Sequence, residues 1–532
     1  MKNLFTTVII TLIFLVKIHA QVNVNTWTWI KGSSSCYQTA TYGTKGVASA
    51  SNSPSAVNKH TVWTYNGKMY LFGGYGGDAT NSYGQLSDLW EFDHTTKNWT
   101  WLKGTGLANQ VSNFGTKGVA AASNLPGARD NACSWVYSGK LYLMGGRNGN
   151  QLLFNDLWVY DIVTNNWTWI KGAGLNISNQ AGIYGTQGIA APINTPGVRQ
   201  NANTWVYNNK LYLFGGFGLD KDGNGNGYGY GYLNDLWEYN PFTNNWTWLK
   251  GSNISNQLGT YGVQGVSAPN NGPGCRENFS TWVNKGLLYF MGGYGRYNNS
   301  TTSLGSYNDL WVYNPNTNNW TWLKGSNFEY QIGVYGTQGI SDPNNRPGAR
   351  VLAVTWTVNN KLYLMGGQGL SSSANIHNQF LNDLWEYNPD NNSWRWLKGS
   401  NNLQEQGSYG TLGVPSLSNS PGSRDDHKSW FYDGKLYLFG GYVINNDINS
   451  NAARINDMWE YVPSCSDMYS IQNGNWDDTN TWSCGRKPIV TDLLTISGHL
   501  VYLKGNCVAK KISYLNGGNL VFYNPSNLQL NP

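Results

Sequence analysis

The sequence predicts an all-β fold in which one unit of four short strands is repeated. Aromatic residues make up 14% of the chain and charged residues only 12%, and there are 65 glycines. Aromatic residues between turns rich in glycine and asparagine are typical of many short strands, whereas a disordered chain would lack them. The repetition is visible as an apolar segment that ends in Gly-Gly and occurs six times. The pairs are Gly73-Gly74, Gly145-Gly146, Gly215-Gly216, Gly292-Gly293, Gly366-Gly367 and Gly440-Gly441.

Two further residues recur at matching places around each Gly-Gly pair. A tryptophan precedes the pair, and a variable loop followed by Asp-Leu-Trp, or Asp-Met-Trp in the last copy, comes after it. Six copies of one unit therefore account for most of the chain. The tryptophans are Trp63, Trp135, Trp205, Trp282, Trp356 and Trp430. The aspartates are Asp88, Asp156, Asp235, Asp309, Asp383 and Asp457.

Each unit contains four predicted strands, which in the third copy read NTWVYN, KLYLFGG, DLWEYN and NWTWLKG. Four strands with Gly-Gly and a tyrosine and tryptophan at fixed spacing resemble the kelch repeat of β-propellers, and the resemblance covers residues 25–462. It implies that each copy is one blade. The units are longer than the about 50 residues of a kelch repeat, mostly because of a long connection after the fourth strand. The spaced pairs are Tyr160/Trp167, Tyr239/Trp246, Tyr313/Trp320 and Tyr387/Trp394, with Phe92/Trp99 as a variant.

The N-terminal segment NTWTWIKG, residues 25–32, has the sequence of a fourth strand without the three that should precede it. The last copy has the opposite defect, because its third strand at residues 457–463 is not followed by a fourth. Joining the two completes the last blade and removes an open sheet edge. We therefore expect a six-bladed kelch-type β-propeller over residues 21–463, closed by the N-terminal strand, in which Tyr461 meets Trp27.

Residues 1–20 have the pattern of a signal peptide, with a basic start, an apolar run and a small residue before Gln21. No second apolar run follows, so we expect a secreted or cell-surface product. The sequence contains no run of lysine and arginine, which argues against a nucleic-acid partner. Among the six cysteines, Cys465, Cys484 and Cys507 are the expected disulfide participants.

Five of the six long connections contain the phrase Pro-Gly-x-Arg, and the first copy has Val57 in place of the arginine. In one interpretation each arginine fixes its own loop by bonding carbonyls or the Asp-Leu-Trp aspartate. In the other the arginines form a basic rim around the central channel for an anionic ligand. Lys59 and Lys428 join them as candidate binding residues. The arginines are Arg129, Arg199, Arg276, Arg350 and Arg424.

The first and sixth copies, which closure makes neighbours, differ from the others at one position. Where the second to fifth copies have alanine or phenylalanine, these two have His60 and His427, and Asp425 and Asp426 precede His427. Histidines with carboxylates are candidate metal ligands or acid–base catalysts. The alternative interpretation is a polar seam that holds the two copies together.

Galactose oxidase and its relatives are copper enzymes of the kelch class, and that resemblance would require two histidine ligands, two tyrosine ligands and a Cys–Tyr crosslink. No His–Tyr pair with a suitably placed cysteine is apparent in this sequence. Enzyme activity is therefore without support from a matching residue set. An extracellular oxidase-like or carbohydrate-active enzyme that uses the seam between copies six and one is kept as the alternative function.

An insertion in the third copy resembles the opening of a calcium-binding loop. Asp220, Asp222, Asn224 and the following glycine match D-x-[DN]-x-[DN]-G. The closing bidentate glutamate is absent, because Gly231 stands at its position. The loop is therefore either a weak calcium site or a flexible glycine-rich connection, and no other cofactor is expected.

Residues 464–532 lack the repeat and predict a small β module, which can also be part of a β-solenoid. The phrase GNW…TWSCG…P…D…ISGH resembles small β modules of secreted proteins from gliding bacteria. The sequence as a whole indicates a secreted, non-catalytic propeller scaffold that binds a protein or glycan partner at one face, with exposed aromatic side chains stacking on the ligand.

Overall fold

The structure is a computed structural model, and it describes residues 24–174, 180–223, 229–296, 303–372, 379–444, 452–463, 468–484, 486–489 and 492–530. Within these ranges the chain forms strands and turns and no α-helix, so the predicted all-β class is confirmed. No helix in the described part of the chain is long and apolar enough to span a membrane. The predicted signal peptide lies outside the described residues.

The strands of the first three copies follow the order of the repeat. The N-terminal strand is β1 (Trp27–Lys31). The first copy contains β2 (Val57–Asn58), β3 (Thr61–Tyr65), β4 (Lys68–Phe72), β5 (Tyr75–Gly77), β6 (Tyr83–Gln85), β7 (Leu89–Asp93) and β8 (Asn98–Lys103). The second contains β9 (Cys133–Tyr137), β10 (Lys140–Met144), β11 (Leu157–Asp161) and β12 (Asn166–Lys171). The third contains β13 (Arg199–Gln200), β14 (Asn203–Tyr207), β15 (Lys210–Gly218), β16 (Gly231–Asn240) and β17 (Asn245–Lys250).

The remaining copies and the C-terminal module continue the series. The fourth copy contains β18 (Arg276–Glu277), β19 (Ser280–Asn284), β20 (Leu287–Met291), β21 (Tyr294–Arg296), β22 (Leu304–Ser306), β23 (Leu310–Asn314) and β24 (Asn319–Lys324). The fifth contains β25 (Ser341–Asp342), β26 (Arg350–Val351), β27 (Val354–Val358), β28 (Lys361–Gly369), β29 (Gln379–Asn388) and β30 (Ser393–Lys398). The sixth contains β31 (Arg424–Asp425), β32 (Lys428–Tyr432), β33 (Lys435–Phe439), β34 (Tyr442–Ile444), β35 (Ala452–Arg454) and β36 (Met458–Tyr461). The module contains β37 (Met468–Tyr469), β38 (Gly474–Asn475), β39 (Leu493–Ser497), β40 (Leu500–Ala509), β41 (Lys511–Leu515) and β42 (Asn519–Leu530), with a 3-10 turn at Thr479–Thr481.

Each copy contains four antiparallel strands paired in the order that the repeat predicts, and short additional strands enlarge the sheet to five strands in the third copy and six in the fifth. In the first copy the order is β3-β4-β7-β8, and the second to fifth copies repeat it. In the sixth, β32, β33 and β36 are joined by β1, so the fourth strand comes from the N-terminus. The expected contact is present: Trp27 lies opposite Tyr461, and their rings are 5.0 Å apart. Tyr387 and Trp394 in the fifth copy are paired at the same distance.

The first strands of successive sheets contact one another. In chain order, β3 contacts β9, β9 contacts β14, β14 contacts β19, β19 contacts β27, and β27 contacts β32. The last of these strands, β32, also contacts β3. Large aromatic side chains fill the space between sheets, since the fully buried residues include Trp158, Trp167, Trp237 and Trp246. The indoles also bond across this space: Trp63 Nε1 donates to the Tyr142 carbonyl in the next copy at 2.9 Å. Burial of these rings is the main source of cohesion between neighbouring sheets.

The C-terminal module has a different architecture, because its strands pair in parallel. One sheet has the order β37-β39-β41 and the other β38-β40-β42, so the chain winds through three stacked coils. Leu494, Ile496, Val501 and Leu503 point into the core between the two sheets. Cys484 is in a disulfide bond. The thiol of Cys507 is free, and Cys465 lies outside the described residues.

Candidate functional site

The five Pro-Gly-x-Arg arginines are buried in ion pairs within their own copies. Arg350 shows the geometry: Nη1 and Nη2 donate to the two carboxylate oxygens of Asp383 at 2.7 and 2.8 Å, and Nη1 also donates to the Gly366 carbonyl. Trp385 and Tyr335 donate to the same carboxylate at 2.7 and 2.6 Å. The equivalent pairs are Arg129–Asp156, Arg199–Asp235, Arg276–Asp309 and Arg424–Asp457.

This arrangement gives three recurring motifs one structural purpose. In the third to sixth copies the loop arginine, the loop tyrosine and the tryptophan of Asp-Leu-Trp, or Asp-Met-Trp, all bind one aspartate, which attaches the long connection to the third strand. The five arginine side chains are at most 1% exposed. They have the geometry of the first interpretation, the fixing of each loop, and we assign no ligand contact to them.

The first copy lacks the arginine, and hydrogen bonds replace the ion pair of its aspartate only in part. Asp88 accepts hydrogen bonds from the Tyr42 hydroxyl at 2.8 Å and the Gly106 amide at 2.9 Å, with Val57 at the arginine position. Burial without an ionic partner raises the pKa of Asp88. A void of about 10 Å³ lies beside these residues.

A ring of six residues, one from each copy, lies where the long connection enters the first strand. All six adopt left-handed backbone conformations with φ between 51° and 59°. Four backbone hydrogen bonds link five of the six in series from Lys59 to Leu352, for example from Asn131 N to Lys59 O at 2.9 Å and from Leu352 N to Asn278 O at 3.0 Å. Asparagine and aspartate tolerate this conformation, whereas a leucine there is unusual. The channel ring consists of Lys59, Asn131, Asn201, Asn278, Leu352 and Asp426.

Cavities lie on both sides of the channel ring. One has a volume of about 410 Å³ and is lined by residues of all six copies, including hairpin residues beyond the Gly-Gly pairs; we call it the hairpin-side cavity. The other, of about 200 Å³, is lined by the first strands and contains Lys428; we call it the strand-side cavity. Burial lowers the pKa of the Lys428 ammonium, against the opposing effect of Asp426. Of the predicted candidates, Lys59, Asp425 and Asp426 line the hairpin-side cavity.

Two aromatic residues line the hairpin-side cavity, Phe380 and Tyr442, and their ring centroids are 6.1 Å apart. Further aromatic rings lie on the hairpins that follow Gly-Gly but are not among the residues that line the cavity. Tyr232 lies between Phe217 and Tyr294, with centroid distances of 5.1 and 6.0 Å. In the sixth copy, the Arg454 guanidinium lies 4.4 Å from the centroid of the Tyr75 ring of the first copy and 5.3 Å from the centroid of the Tyr442 ring. Flat aromatic faces beside a charged donor suit both sugars and peptide side chains.

Polar groups in and beside this cavity differ in how many hydrogen bonds they accept: Asp425 lines the cavity, whereas Asp130 lies behind the lining residue Arg147. Asp130 accepts hydrogen bonds from Arg147 at 2.9 Å and Gln85 at 3.1 Å. Asp425 Oδ1 and Gln200 Oε1, by contrast, are buried acceptors without a hydrogen-bond partner in the described part of the chain. A buried polar atom without a partner costs about 1–3 kcal/mol, so Gln200 Oε1 is suited to accept a hydrogen bond from a ligand, and Asp425 Oδ1 to accept one or, when the carboxyl is protonated, to donate one.

Burial also shifts the ionisation of these acids. It raises the pKa of Asp425 well above its ordinary value, and the neighbouring Asp426 carboxylate adds to the shift. It raises the pKa of Glu277 to about 7, although the Asn201 amide donates to this carboxylate at 2.8 Å and lowers the pKa in part. Glu277, which binds the cavity residue Asn201, is therefore protonated in part near neutral pH.

The two predicted seam histidines are buried beneath Gly-Gly pairs. His60 packs edge-on against Phe439 with a distance of 5.7 Å between the ring centroids, and His60 and Phe439 are each 1% exposed. Neither nitrogen of His60 or His427 has a hydrogen-bond partner among the described residues. Burial lowers the pKa of both imidazoles well below the ordinary value. Within the described ranges no three His, Cys, Asp or Glu side chains are grouped as a metal site requires.

A third histidine, which the sequence did not single out, joins copies six and one. The Trp430 indole donates to His94 Nε2 at 2.5 Å, and His94 Nδ1 lies 2.7 Å from the Gly67 carbonyl. The imidazole therefore carries its proton on Nδ1 and bridges the two sheets. No sequence pattern marked His94, because its partner is 336 residues away.

The predicted calcium residues are described in part. Asp220 is buried, and its two carboxylate oxygens accept hydrogen bonds from the amides of Asp222 at 3.0 Å and Ser255 at 2.9 Å. Asp222 forms an exposed ion pair with Lys221. Asn224 lies outside the described residues, so calcium binding stays a prediction.

Comparison with known proteins supports the repeat assignment. The family model described as the Kelch motif matches residues 128–168 and 349–395. The chain is 24% identical over 417 residues to the leucine-zipper-like transcriptional regulator 1 homolog of Drosophila melanogaster, which covers 77% of this chain and 32% of that protein. It is 29% identical over 118 residues to N-(sulfonatooxy)prop-2-enimidothioate sulfolyase of Thlaspi arvense, covering 22% of this chain and 28% of that protein. The matches thus span about a third of each relative's length. The chain carries kelch motifs in an all-β fold whose antiparallel four-stranded sheets fit a β-propeller.

Proposed function

We propose that the protein is an exported six-bladed propeller, closed by β1, that binds a protein or glycan ligand in the hairpin-side cavity. Three observations support closure: the pairing of β1 with β36, the contact of β32 with β3, and the His94 bridge. Export is favoured by the signal-peptide pattern of residues 1–20. N-terminal sequencing of the mature product tests it, with Gln21 as the expected first residue.

The observation that carries the binding proposal is the pair of unsatisfied acceptors, Asp425 Oδ1 and Gln200 Oε1, in a cavity to which every copy contributes. Folded proteins rarely leave such atoms buried and unpaired, and those that do are often at functional sites. Hydroxyl groups of a sugar or amide groups of a peptide would supply the missing hydrogen-bond partners, and the rings of Phe380 and Tyr442 would stack on the ligand.

The test combines a glycan array and a peptide library, each applied to the full chain, with variants of the cavity. Gln200→Leu and Asp425→Leu remove the acceptors, so we expect binding to fall at least about tenfold, as one lost hydrogen bond of about 1.4 kcal/mol implies. Gln264→Leu, the same change at an exposed loop position, is the matched control and should bind normally. Equal binding by all variants, or no ligand in either library, would contradict the proposal.

The two cavity variants have a second expected property. Replacing an unsatisfied buried acceptor by an apolar group of similar shape removes a desolvation cost. Gln200→Leu should therefore raise the thermal midpoint while it weakens binding. A variant that is both destabilised and unable to bind would show that Gln200 supports the fold and does not contact the ligand.

The alternative function, an extracellular enzyme at the seam, rests on the four unpartnered ring nitrogens of His60 and His427. Metal analysis of the purified full chain tests it. Stoichiometric copper or zinc that is lost in His427→Phe would favour the enzyme, whereas equal metal content in the variant and the unaltered protein would rule out this histidine as a ligand.

A further inference from the structure

The hairpin after Gly-Gly is shortest in the second copy, and a groove lies between it and the first copy. Nine residues separate Gly146 from Asp156, whereas 13 to 18 separate the corresponding residues of the other copies. In this short hairpin one residue pair, Arg147 and Leu153, is bridged, where the first copy has the paired strands β5 and β6. The groove occupies the space that a longer hairpin would fill and has a volume of about 610 Å³; we call it the interblade groove.

The interblade groove is lined by uncharged residues. Its walls come from the hairpins of the first and second copies and from the long connection that leads from β8 to β9, and none of the described residues that line it is Asp, Glu, Lys, Arg or His. The hairpin-side cavity, in contrast, is lined by charged residues such as Lys59, Arg147 and Asp425, and the two sites share no lining residue. A groove without charges offers no ionic partner to a charged ligand, so it favours a neutral one.

Two asparagine side chains of the groove hold hydrogen-bond donors in fixed orientations. Asn148 Oδ1 accepts hydrogen bonds from the amides of Asn150 at 3.1 Å and Leu152 at 3.0 Å. Asn109 Oδ1 accepts one from the Gln85 amide at 3.2 Å. These bonds fix the side-chain oxygens, and neither NH2 group donates to another residue within the described part of the chain. The two NH2 groups are therefore suited to bind oxygen atoms of a ligand.

An aromatic ring and apolar side chains complete the wall of the groove. Tyr83 is 41% exposed, and its ring meets the Tyr37 ring edge-on with a centroid distance of 6.1 Å. Val111 and Leu152 are exposed and line the same groove. A sugar ring presents C–H groups that pack on aromatic and apolar surface and hydroxyl groups that bond to amides, so this combination suits a saccharide.

The edge of β6 that borders the groove is already occupied. The Asn109 amide donates to the Gln85 carbonyl at 2.7 Å, and the Gln85 amide donates to Asn109 Oδ1. One asparagine thus binds both backbone groups of Gln85 that an added strand would need. Recognition in the groove then depends on side-chain amides and rings, which favours a sugar over an extended peptide.

We propose that the interblade groove binds a neutral oligosaccharide, with the NH2 groups of Asn109 and Asn148 bonded to its hydroxyl oxygens and the Tyr83 ring packed on a sugar ring. The volume of the groove lies within the range of about 300–1,000 Å³ that is usual for ligand sites. The groove is separate from the hairpin-side cavity, so the proposal does not rest on the function proposed for that cavity.

Isothermal titration calorimetry of the full chain with uncharged tetrasaccharides of glucose, mannose, xylose and N-acetylglucosamine tests the proposal. We expect at least one of them to bind. Asn148→Asp keeps an oxygen for the amides of Asn150 and Leu152 but removes the NH2 donor, so the affinity should fall about tenfold or more. Tyr83→Ala removes the ring and should weaken binding by a similar factor. Asn109→Asp repeats the loss of a donor on the other wall in case Asn148→Asp does not fold.

Asn314→Asp is the matched control, because Asn314 Oδ1 also accepts a backbone amide, that of Asn316, in a turn. Asp93 and Asp161 stand at the same position in the first two copies and accept backbone amides there, so an aspartate is tolerated. This variant should bind the sugar with unchanged affinity. Circular dichroism and the thermal midpoint show whether each variant is folded.

Three outcomes would overturn the proposal. The first is that none of the tetrasaccharides binds, and the second is that uncharged pentapeptides bind in their place. The third is loss of sugar binding in Gln200→Leu with full binding in Asn148→Asp, which would place the sugar in the hairpin-side cavity. A tenfold loss in Asn148→Asp supports the groove whether or not the hairpin-side cavity binds a ligand of its own.

Discussion

Arg350 and Asp383 form a bidentate ion pair at 2.7 and 2.8 Å inside the fifth copy, and both side chains are at most 1% exposed. The pair attaches a connection of the repeat to the strand that carries the aspartate. Four other copies contain the same pair, and the first copy has the aspartate without the arginine. The molecule thus contains its own comparison between a paired and an unpaired buried carboxylate.

This comparison gives the first prediction. Arg350→Met leaves the Asp383 charge buried and unpaired, so the free energy of unfolding should fall by about 3–5 kcal/mol. Asp88→Asn removes a carboxylate that has no arginine partner, and the asparagine amide can still form hydrogen bonds with Tyr42 and Gly106. We therefore expect the free energy of unfolding to change by about 1 kcal/mol or less. Urea denaturation of both variants at neutral pH measures the difference. Equal losses would mean that the ion pair adds nothing beyond its hydrogen bonds.

The second prediction concerns the N-terminal strand. Trp27 and Trp394 are both buried, and the ring of each lies 5.0 Å, centroid to centroid, from a tyrosine ring on the neighbouring strand of its sheet. If β1 is the fourth strand of the sixth copy, Trp27→Ala and Trp394→Ala should each lower the free energy of unfolding by about 3–5 kcal/mol. A Trp27→Ala variant with unchanged stability, beside a destabilised Trp394→Ala, would show that β1 does not contribute to the sixth blade.

The repeat unit was predictable because its signals are local. Gly-Gly, Asp-Leu-Trp and the paired Tyr and Trp lie within one copy, and period-two alternation places their strands. The contact of Trp27 with Tyr461 was also predictable, since counting strands identified the missing one. The bond between Arg350 and Asp383 was one of two interpretations, because recurrence in five copies suited a structural role as well as a rim.

The features that the sequence did not predict depend on residues that are far apart in the chain. Leu352 adopts a left-handed conformation as a member of the channel ring, whose residues come from six different copies. The unsatisfied state of Gln200 depends on the absence of donors from five other copies. His94 bonds to Trp430 only because copies six and one meet.

The third prediction is a pH dependence that arises from Glu277. Burial raises the pKa of this carboxyl to about 7 from its ordinary value of 4.5, so the folded state binds its proton more tightly than the unfolded state. Its contribution is therefore favourable in acid and is lost as the pH rises from 4.5 to 7. Glu277→Gln should be more stable relative to the unaltered protein at pH 8 than at pH 4.5.

Chemical denaturation at the two pH values measures this difference. Arg147, Lys59 and Asp426 also act on the Glu277 carboxyl and are present in both proteins, so the comparison measures the removal of this carboxyl together with its effect on their titration. A stability difference that does not change between pH 4.5 and pH 8 would mean that Glu277 titrates normally and is solvated in the folded protein.

The fourth prediction concerns the two seam histidines, whose folded pKa values lie well below 6.5 because of burial. The unfolded chain binds these protons more tightly, so stability is lost as the pH falls through the unfolded pKa of about 6.5. Each histidine should cost about 1 kcal/mol between pH 6.5 and pH 5.5. The double variant His60→Phe/His427→Phe should lose about 2 kcal/mol less than the unaltered protein over that range.

Phenylalanine suits the site because Phe279 occupies the same position in the fourth copy and is buried there. Similar unfolding midpoints at pH 8 show that the variant is folded, and parallel stability profiles from pH 8 to 5.5 would mean that the imidazoles are already protonated or solvated in the native state.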